Sequence, residues 1–219
     1  MAQATEYNSS MPSSSTLGQR ARIVVLASGG GSNCQALIDA SAAAELDAEI
    51  VAVISNNARA GVLDRAMSAG IETRVIDHSG KDPAVRQQAD VRLVQVVEAY
   101  APDLVVLAGW MRILGANVGA ALPMINLHPA KPGEFPGVQA IERAYQAWEA
   151  GDIGESGVMV HWVPDEGVDV GPVLVCESVG FEAGDSLDQF AARMHKTEHR
   201  LIVEGATAAL LELAAAAAD

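Results

Sequence analysis

The sequence predicts an α/β fold, in which a mostly parallel open sheet is flanked by helices and followed by an antiparallel β-hairpin and a long final helix. Short apolar runs such as Arg22–Ala27 and Asp103–Ala108 are typical of buried parallel strands. Helical segments alternate with these runs, which indicates a parallel sheet with right-handed crossovers. Near the end, two β-rich segments flank an Asp- and Gly-rich turn, a pattern typical of a hairpin.

Each predicted element has a local signal. Helix Cys34–Ala44 follows a Gly-rich turn and contains few helix breakers. Gly70 ends the second helix, Pro83 lies in the first turn of the third, and Asp185 or Ser186 can cap the last. The other predicted elements, in chain order, are strand Glu49–Ser55, helix Ala60–Ala69, strand Thr73–Ile76, helix Pro83–Tyr100, strand Met124–Leu127, helix Gln139–Ala150, strands Val158–Val163 and Pro172–Val179, and helix Asp185–Leu213.

Length and composition predict one domain. The chain has 219 residues, half of them hydrophobic, and residues 21–213 contain no linker or repeat. Residues 1–20 are polar and Ser-rich and are predicted to be a disordered leader, and 214–219 a frayed tail. The formal net charge of -14 argues against a nucleic-acid partner. No uninterrupted run of 18 apolar residues exists, so no membrane span is predicted.

Cysteine usage predicts a reducing, cytoplasmic environment. Cys34 and Cys176 are the two cysteines, and they are far apart in sequence. Neither belongs to a CxxC or a His/Cys pattern that would bind zinc, so no metal site is predicted. The sequence does not distinguish a monomer from a homodimer.

The segment Asn126-Leu127-His128-Pro129 contains the strongest chemical signal. In a strand, side chains two residues apart point the same way, so Asn126 and His128 would share a face. An amide can stabilise a developing oxyanion, and an imidazole can move a proton near neutral pH. Pro129 would end the strand and leave the pair at its tip, where open α/β sheets place their chemistry. A buried structural histidine remains the alternative.

The loop Ser28–Asn33 predicts a phosphate site. It follows a strand and precedes a helix, so its glycines allow close approach of a ligand to unpaired N–H groups at the helix start. It lacks the Gly-Lys-Ser/Thr of a Walker A loop, and Cys34 stands where GxGxxG requires its third glycine. A monophosphate is therefore favoured over a dinucleotide, and a tight turn without a ligand is the alternative.

Three further segments could contribute to a site. A carboxylate of the acidic turn 165–172 could orient His128 and raise its pKa, or the turn could be only a solvated loop. The segment Trp110–Leu114 could line a pocket for a flat ring or belong to the core. Polar residues of the last helix could close over a phosphate and ribose or form a solvated face. His161, taken alone, is predicted to be packed and hydrogen-bonded rather than catalytic.

Together, these segments resemble the folate-dependent formyltransferase family, and the resemblance covers most of residues 22–205. It implies the Rossmann-like formyltransferase fold and transfer of a formyl group from 10-formyltetrahydrofolate to the amine of glycinamide ribonucleotide, without a metal. The motifs that carry it are Ile23–Asn33, Ala101–Leu114, Asn126–Pro129, Phe135–Gly137, Asp165–Pro172 and Thr197–His199.

The resemblance also implies roles for individual residues. The catalytic trio would be Asn126, His128 and Asp169. The ribonucleotide would be bound by residues of two loops and of the last helix: Gly31, Ser32, Asn33, Gly137, His195 or Lys196, and Glu198. The folate would be bound by residues of three other segments: Arg86, Met111, Arg112, Ile113, Leu114, Pro164 and Asp165.

Two departures from the family pattern are visible, and several alternatives remain. Ala130–Gly133 replaces the usual Ser/Ala-Leu-Leu-Pro, and Met159 replaces a hydroxyl residue. A formyltransferase acting on tRNA would need a basic surface and a further domain, and a deformylase would need an N-terminal regulatory domain. A sugar-nucleotide formyltransferase shares the trio and stays possible, as does a non-catalytic nucleotide-binding module on the same scaffold.

Overall fold

Seven strands form one sheet at the centre of the molecule, in the order β3-β2-β1-β4-β5-β6-β7. The structure, a computed structural model, describes residues 20–78, 80, 82–163 and 168–218. Strands β1 to β5 pair in parallel, whereas β6 and β7 are antiparallel. The elements are β1 (Ala21–Leu26), α1 (Ser32–Ala42), β2 (Ala48–Ser55), α2 (Gly61–Ser68), β3 (Glu72–Val75), α3 (Pro83–Glu98), β4 (Leu104–Leu107), α4 (Ala116–Ala121), β5 (Met124–His128), α5 (Ala140–Glu149), β6 (Glu155–Trp162), β7 (Val173–Gly180) and α6 (Leu187–Ala218).

Strand β1 shows why the sheet is covered on both faces. Its side chains alternate between two hydrophobic clusters, as the two-residue period of a strand requires. Ile23 and Val25 belong to a large cluster that also contains residues of α1, α2 and α6. Val24 and Leu26 belong to a smaller cluster with residues of α3 and α4. All four are fully buried, which explains the continuous apolar run in the sequence.

The strand order places the loops that matter for function next to each other. The chain builds β2 and β3 on one side of β1 and then crosses over to build β4 and β5 on the other side. Loops after β1 and β4 therefore leave the sheet in opposite directions and open a crevice at its carboxyl edge. The two loops are joined there, because the Ser28 N–H donates to the Gly109 carbonyl at 3.0 Å.

The predicted fold class is confirmed, and the differences lie at element boundaries. Helix α4 is not predicted by the sequence, because its six residues have no periodic apolar face. Strand β6 begins at Glu155 rather than Val158, because Glu155, Ser156 and Gly157 pair with β7 although their composition gives a weak strand signal.

At both ends of the chain, the structure differs in part from the predicted leader and tail. Most of the predicted leader lies outside the described residues, but Arg20 is described, and its guanidinium donates to the carbonyls of Ser41 and Leu46 at 2.9 and 2.6 Å. Helix α6 continues through Ala218, beyond the boundary predicted at 213. The division of the chain into a leader, one domain and a tail stays a prediction.

Helix α6 has the length and composition of a possible membrane span, whereas the sequence predicts none because it has no uninterrupted run of 18 apolar residues. Its most apolar 18-residue window has a mean hydropathy of 1.7, and 28% of that window is buried. A core helix of a soluble protein passes the same test, and Leu201, Ile202, Ala206 and Ala209 of α6 belong to the large cluster. The apolar character of α6 is therefore accounted for in part by packing against the sheet.

Candidate active site

Two adjoining cavities open at the carboxyl edge of the sheet. The large cavity has a volume of about 590 Å³ and lies between the loop after β1, the residues after β5 and helix α6. The small cavity has a volume of about 200 Å³ and lies between the segment Trp110–Gly115 and β5–β6. Asn126 and Asp169 line both, so any chemistry that involves them would occur where the cavities meet.

Asp169 brings the predicted trio together. The Asn126 amide donates to Asp169 Oδ1 at 2.9 Å, and His128 Nδ1 lies 3.3 Å from Asp169 Oδ2. Asn126 and His128 lie two positions apart on β5, so the strand directs both towards the turn that contains Asp169. The structure therefore places Asp169 in direct contact with both other members of the trio.

The carboxylate of Asp169 is held in a constrained position. The Gly137 N–H donates to its Oδ2 at 2.8 Å, and its backbone adopts a left-handed conformation with φ 56°. Such a conformation is strained in a residue other than glycine and persists where the surroundings determine it. Burial acts to raise the pKa of Asp169, but the His161 side chain, the Gly137 N–H and the charge of His128 outweigh it and lower that pKa.

The electrostatics of His128 agree with the prediction only in part. Burial lowers the pKa of His128, whereas the Asp169 charge raises it, in the direction that the sequence predicts for a carboxylate of this turn. Burial is the larger effect, so the pKa is lowered overall. His128 Nε2 lies 3.3 Å from the Glu134 carbonyl, so both ring nitrogens face acceptors. A protonated ring could donate to both acceptors. Desolvation and hydrogen bonding therefore act in opposite directions on the pKa of this imidazole.

His161 is packed and hydrogen-bonded as predicted, but its partner was not anticipated. His161 Nδ1 lies 2.8 Å from the Trp162 carbonyl, which only accepts, so Nδ1 carries the proton of that bond. When the ring is neutral, Nε2 is free to accept from the Asn126 amide at 3.2 Å. Both amide hydrogens of Asn126 are thus engaged, one by His161 and one by Asp169. When the ring is protonated, Nε2–H faces Asp169 Oδ1 at 3.7 Å, and this is how His161 lowers the pKa of Asp169. The contact between Asn126 and His161 follows from the antiparallel pairing of β5 with β6, which places the two residues opposite each other. The sequence alone does not determine that register.

The predicted phosphate loop lines the large cavity. Helix α1 begins at Ser32, two residues earlier than predicted, and Gly31 precedes it with φ 77°. A Cβ at Gly31 would lie 2.6 Å from Val62 atoms, so the position requires glycine for space as well as conformation. The first N–H groups of a helix lack intrahelical partners. Residues that carry those groups in α1, Ser32 and Asn33, line the cavity.

Helix α6 brings an ion pair to the opposite side of this cavity. His195 Nδ1 lies 2.6 Å from Glu198 Oε2, and Glu198 is 5% exposed. The hydrogen bond to Glu198 raises the pKa of His195 against the effect of burial. Of the two basic residues predicted as alternatives here, His195 lines the cavity, whereas Lys196 is exposed and is not among the lining residues.

The predicted folate residues are partly assembled. Arg112 and Ile113 line both cavities, Met111 lines the large one, and Leu114 lines the small one. Arg86 lies in the first half of α3 with an exposed side chain and does not line either cavity. Pro164 and Asp165 lie outside the described residues.

The cavities also contain residues that the sequence analysis did not single out. Among them are Val138, Gln139, Ala140, Ile141 and Glu142 in the large cavity and Gly119 in the small one. Gln139 has a positive φ of 58°, and no composition signal marks such a position. Within the part of the chain that the structure describes, no group of three or more His, Cys, Asp or Glu side chains is arranged to bind a metal ion.

Comparisons with known proteins identify the family of the chain. The family model described as formyl transferase matches residues 21–206. A phosphoribosylglycinamide formyltransferase of Dictyostelium discoideum is 40% identical over 195 residues, which cover 83% of this chain and 94% of that protein. The enzyme of the same name from Escherichia coli is 42% identical over 181 residues, 82% of each chain.

Solved structures resemble the fold over most of the chain. The crystal structure of phosphoribosylglycinamide formyltransferase from Brucella melitensis has a TM-score of 0.74 and 38% identity, and the match covers 90% of this chain and 96% of that one. The corresponding enzyme from Bacillus halodurans has a TM-score of 0.77 and 31% identity over 85% of this chain and 93% of that one. The chain therefore belongs to the formyl transferase family.

Proposed function

We propose that the protein transfers the formyl group of 10-formyltetrahydrofolate to the primary amine of glycinamide ribonucleotide, a step of purine biosynthesis. The observation that carries this proposal is the contact of Asp169 with Asn126 and His128 at the junction of two cavities of different size. Relatives named phosphoribosylglycinamide formyltransferase, about 40% identical over most of the chain, support the choice of acceptor.

The large cavity suits the ribonucleotide. Its phosphate would be bound by the N–H groups at Gly31, Ser32 and Asn33, where a helix N-terminus favours an anion. The carboxylate of Glu198 can accept hydrogen bonds from ribose hydroxyls, and His195 supplies a cationic partner near the phosphate when protonated. This local arrangement would bind an anion in spite of the overall charge of -14.

The small cavity suits the ring of the folate. Its walls combine apolar side chains, including Leu107, Ile113 and Val163, with the backbone of Gly115. A flat heterocycle needs such a slot together with a few polar groups that fix its orientation. Arg86 is proposed to meet the folate tail outside the cavity, and Gly137 to contact the ribonucleotide.

The reaction follows from the contacts of the trio. The acceptor amine attacks the formyl carbon, and the resulting tetrahedral oxyanion needs donors that are already in place. His128 Nε2–H would be the more available donor, because its bond to the Glu134 carbonyl is long at 3.3 Å. Asn126 would exchange one of its two present acceptors for the oxyanion. Collapse of the intermediate breaks the bond between the formyl carbon and the folate nitrogen. That nitrogen takes up the proton that the attacking amine loses, passed through His128 directly or by way of a water molecule.

Other properties are proposed on the same basis. The formyl donor is a co-substrate, and the chemistry described needs no metal because the formyl group is already activated. The partners are two small molecules, and the protein is a monomer or a homodimer without nucleic acid or membrane. Cys34 and Cys176 are both free in the structure, in agreement with a reducing cytoplasm.

A turnover assay tests the proposal. The protein is mixed with 10-formyl-5,8-dideazafolate, a stable analogue of the donor, and deformylation is followed by absorbance with and without glycinamide ribonucleotide. We expect turnover that requires the ribonucleotide. Turnover without any acceptor would instead indicate a hydrolase. Binding of the ribonucleotide without turnover would contradict transfer to this acceptor and favour another acceptor or a binding module.

A further inference from the structure

A second buried His–Asp pair lies behind the small cavity and outside the trio. His78 Nε2 is 2.7 Å from Asp90 Oδ1, and the two residues are 2% and 4% exposed. A carboxylate accepts hydrogen bonds, so Nε2 of His78 carries the proton of this bond. The pair lies beside an apolar cluster that contains Leu93, Val97 and Trp110.

The pair contacts both ends of one segment that lines the cavity, Trp110–Gly115. At its end, the Gly115 N–H donates to Asp90 Oδ2 at 3.2 Å. At its start, the rings of His78 and Trp110 meet edge to face, with centroids 6.0 Å apart and an angle of 72° between the planes. Each carboxylate oxygen of Asp90 therefore has its own partner. Oδ1 contacts His78, which follows β3, and Oδ2 accepts from the backbone N–H of Gly115.

The middle of the segment projects from the body of the protein. Met111 and Ile113 are 60% and 68% exposed, so packing alone does not fix their positions. The Met111 N–H donates to Ser28 Oγ at 2.8 Å, which attaches the segment to the loop after β1. The arrangement of this wall of the cavity depends on contacts at the two ends.

We propose that His78 and Asp90 are positioning residues for folate binding, because their contacts to Trp110 and Gly115 fix the segment that receives the ring. This inference rests on the proposed function and adds two residues that do not touch the substrates. A buried polar pair can often be replaced by apolar residues without loss of stability, so its contribution here is to geometry. The pair should affect the KM for folate much more than kcat or the affinity for the ribonucleotide.

Two variants separate this role from general stability. In the double variant His78→Leu/Asp90→Leu, apolar side chains fill the buried site and the bond to Gly115 is lost. In Gly115→Ala, the new Cβ would lie 2.7 Å from both Asp90 Oδ2 and Asn117 Oδ1, so the same contact is disturbed from the backbone side. Tyr145→Phe is the control, because it removes a hydrogen bond to the Asp185 carbonyl on the other face of the sheet.

The measurements are steady-state kinetics with 10-formyl-5,8-dideazafolate and calorimetric titration of each ligand. We expect both test variants to raise the KM and Kd for the analogue at least tenfold, with kcat at saturation and the Kd for the ribonucleotide within about threefold of wild type. Tyr145→Phe should leave all four constants unchanged. A folded variant of either kind with an unchanged KM and Kd for the analogue would overturn the positioning role.

The same titrations distinguish this inference from the proposed function. If the wild type binds the analogue but does not transfer its formyl group, the proposed reaction is wrong, while the binding constants of the variants still decide the positioning role. If the wild type does not bind the analogue, both are wrong. If the double variant does not fold, Gly115→Ala decides.

Discussion

Replacing Asp169 by Asn changes the charge at the centre of the site while keeping the shape of the side chain. The wild-type carboxylate accepts from the Asn126 amide and from the Gly137 N–H, and it faces Nδ1 of His128. An Asn side chain has one acceptor oxygen and one donor NH₂ group. It can therefore satisfy either Asn126 or Gly137, and the other donor will face a second donor.

The expected size of the effect follows from these contacts. A hydrogen bond to a charged group contributes about 1.5–3 kcal/mol, and an unsatisfied buried donor costs about 1–3 kcal/mol. Misplacement of Asn126 also removes one prearranged donor to the oxyanion, which typically lowers kcat by about 10²–10³. We expect Asp169→Asn to fold, with reduced stability and kcat lower by about this factor.

The pH dependence gives a sharper test. Asp169 has a lowered pKa when folded, so its contribution to stability is present above the pKa of the unfolded chain and is lost as pH falls through the folded value. Asp169→Asn should lose this acid-dependent part of the unfolding free energy. It also removes the charge that opposes the burial effect on His128, so the pKa of His128 should fall further.

The assay combines urea unfolding between pH 3 and pH 7 with turnover of the donor analogue. Nuclear magnetic resonance of the imidazole protons of His128 reports its pKa directly. The reasoning would be refuted if Asp169→Asn kept near-normal kcat, or if the pKa of His128 rose in the variant. Asp152→Asn, an exposed residue in the turn after α5, serves as the matched control and should change neither quantity.

The remaining predictions concern the rest of the site. Asn126→Ala and His128→Ala should each fold but lose about 10²–10³ in kcat, as measured by the same assay and by circular dichroism; near-normal turnover in either would contradict their catalytic assignment. Because Glu198 raises the pKa of His195, ribonucleotide affinity should fall as pH rises through that raised pKa, and titrations of His195→Gln should not show this step. Gly31→Ala should destabilise the protein by about 1–2 kcal/mol from its left-handed backbone alone and weaken ribonucleotide binding, both measurable by thermal unfolding and titration.

Much of the fold could be predicted because its signals are local. The apolar runs of β1 and β4 and the helices between them have the composition that burial on both faces of a parallel sheet requires. Helix α4 was missed because six residues with little periodicity are specified by their surroundings rather than by pattern. The start of β6 was missed for the same reason, since pairing with β7 holds residues with weak strand propensity.

The site could be predicted where residue type and spacing suffice. The two-residue period of one strand places Asn126 and His128 on the same face. The glycines of the loop before α1 indicate a phosphate site. The role of His161 could not be predicted, because it depends on the register between β5 and β6. The lowered pKa of His128 could not be predicted either, since it depends on burial, which a single sequence does not give.

The most direct test of the account is a crystal structure of the protein with glycinamide ribonucleotide and 5,8-dideazafolate, which carries no formyl group and cannot react. The account predicts the phosphate at the N–H groups of Gly31–Asn33 and the folate ring against Arg112–Leu114. The acceptor amine should lie within about 3.5 Å of the position of the formyl carbon, next to Asn126 and His128. A phosphate bound elsewhere, or a folate nitrogen remote from the trio, would contradict it.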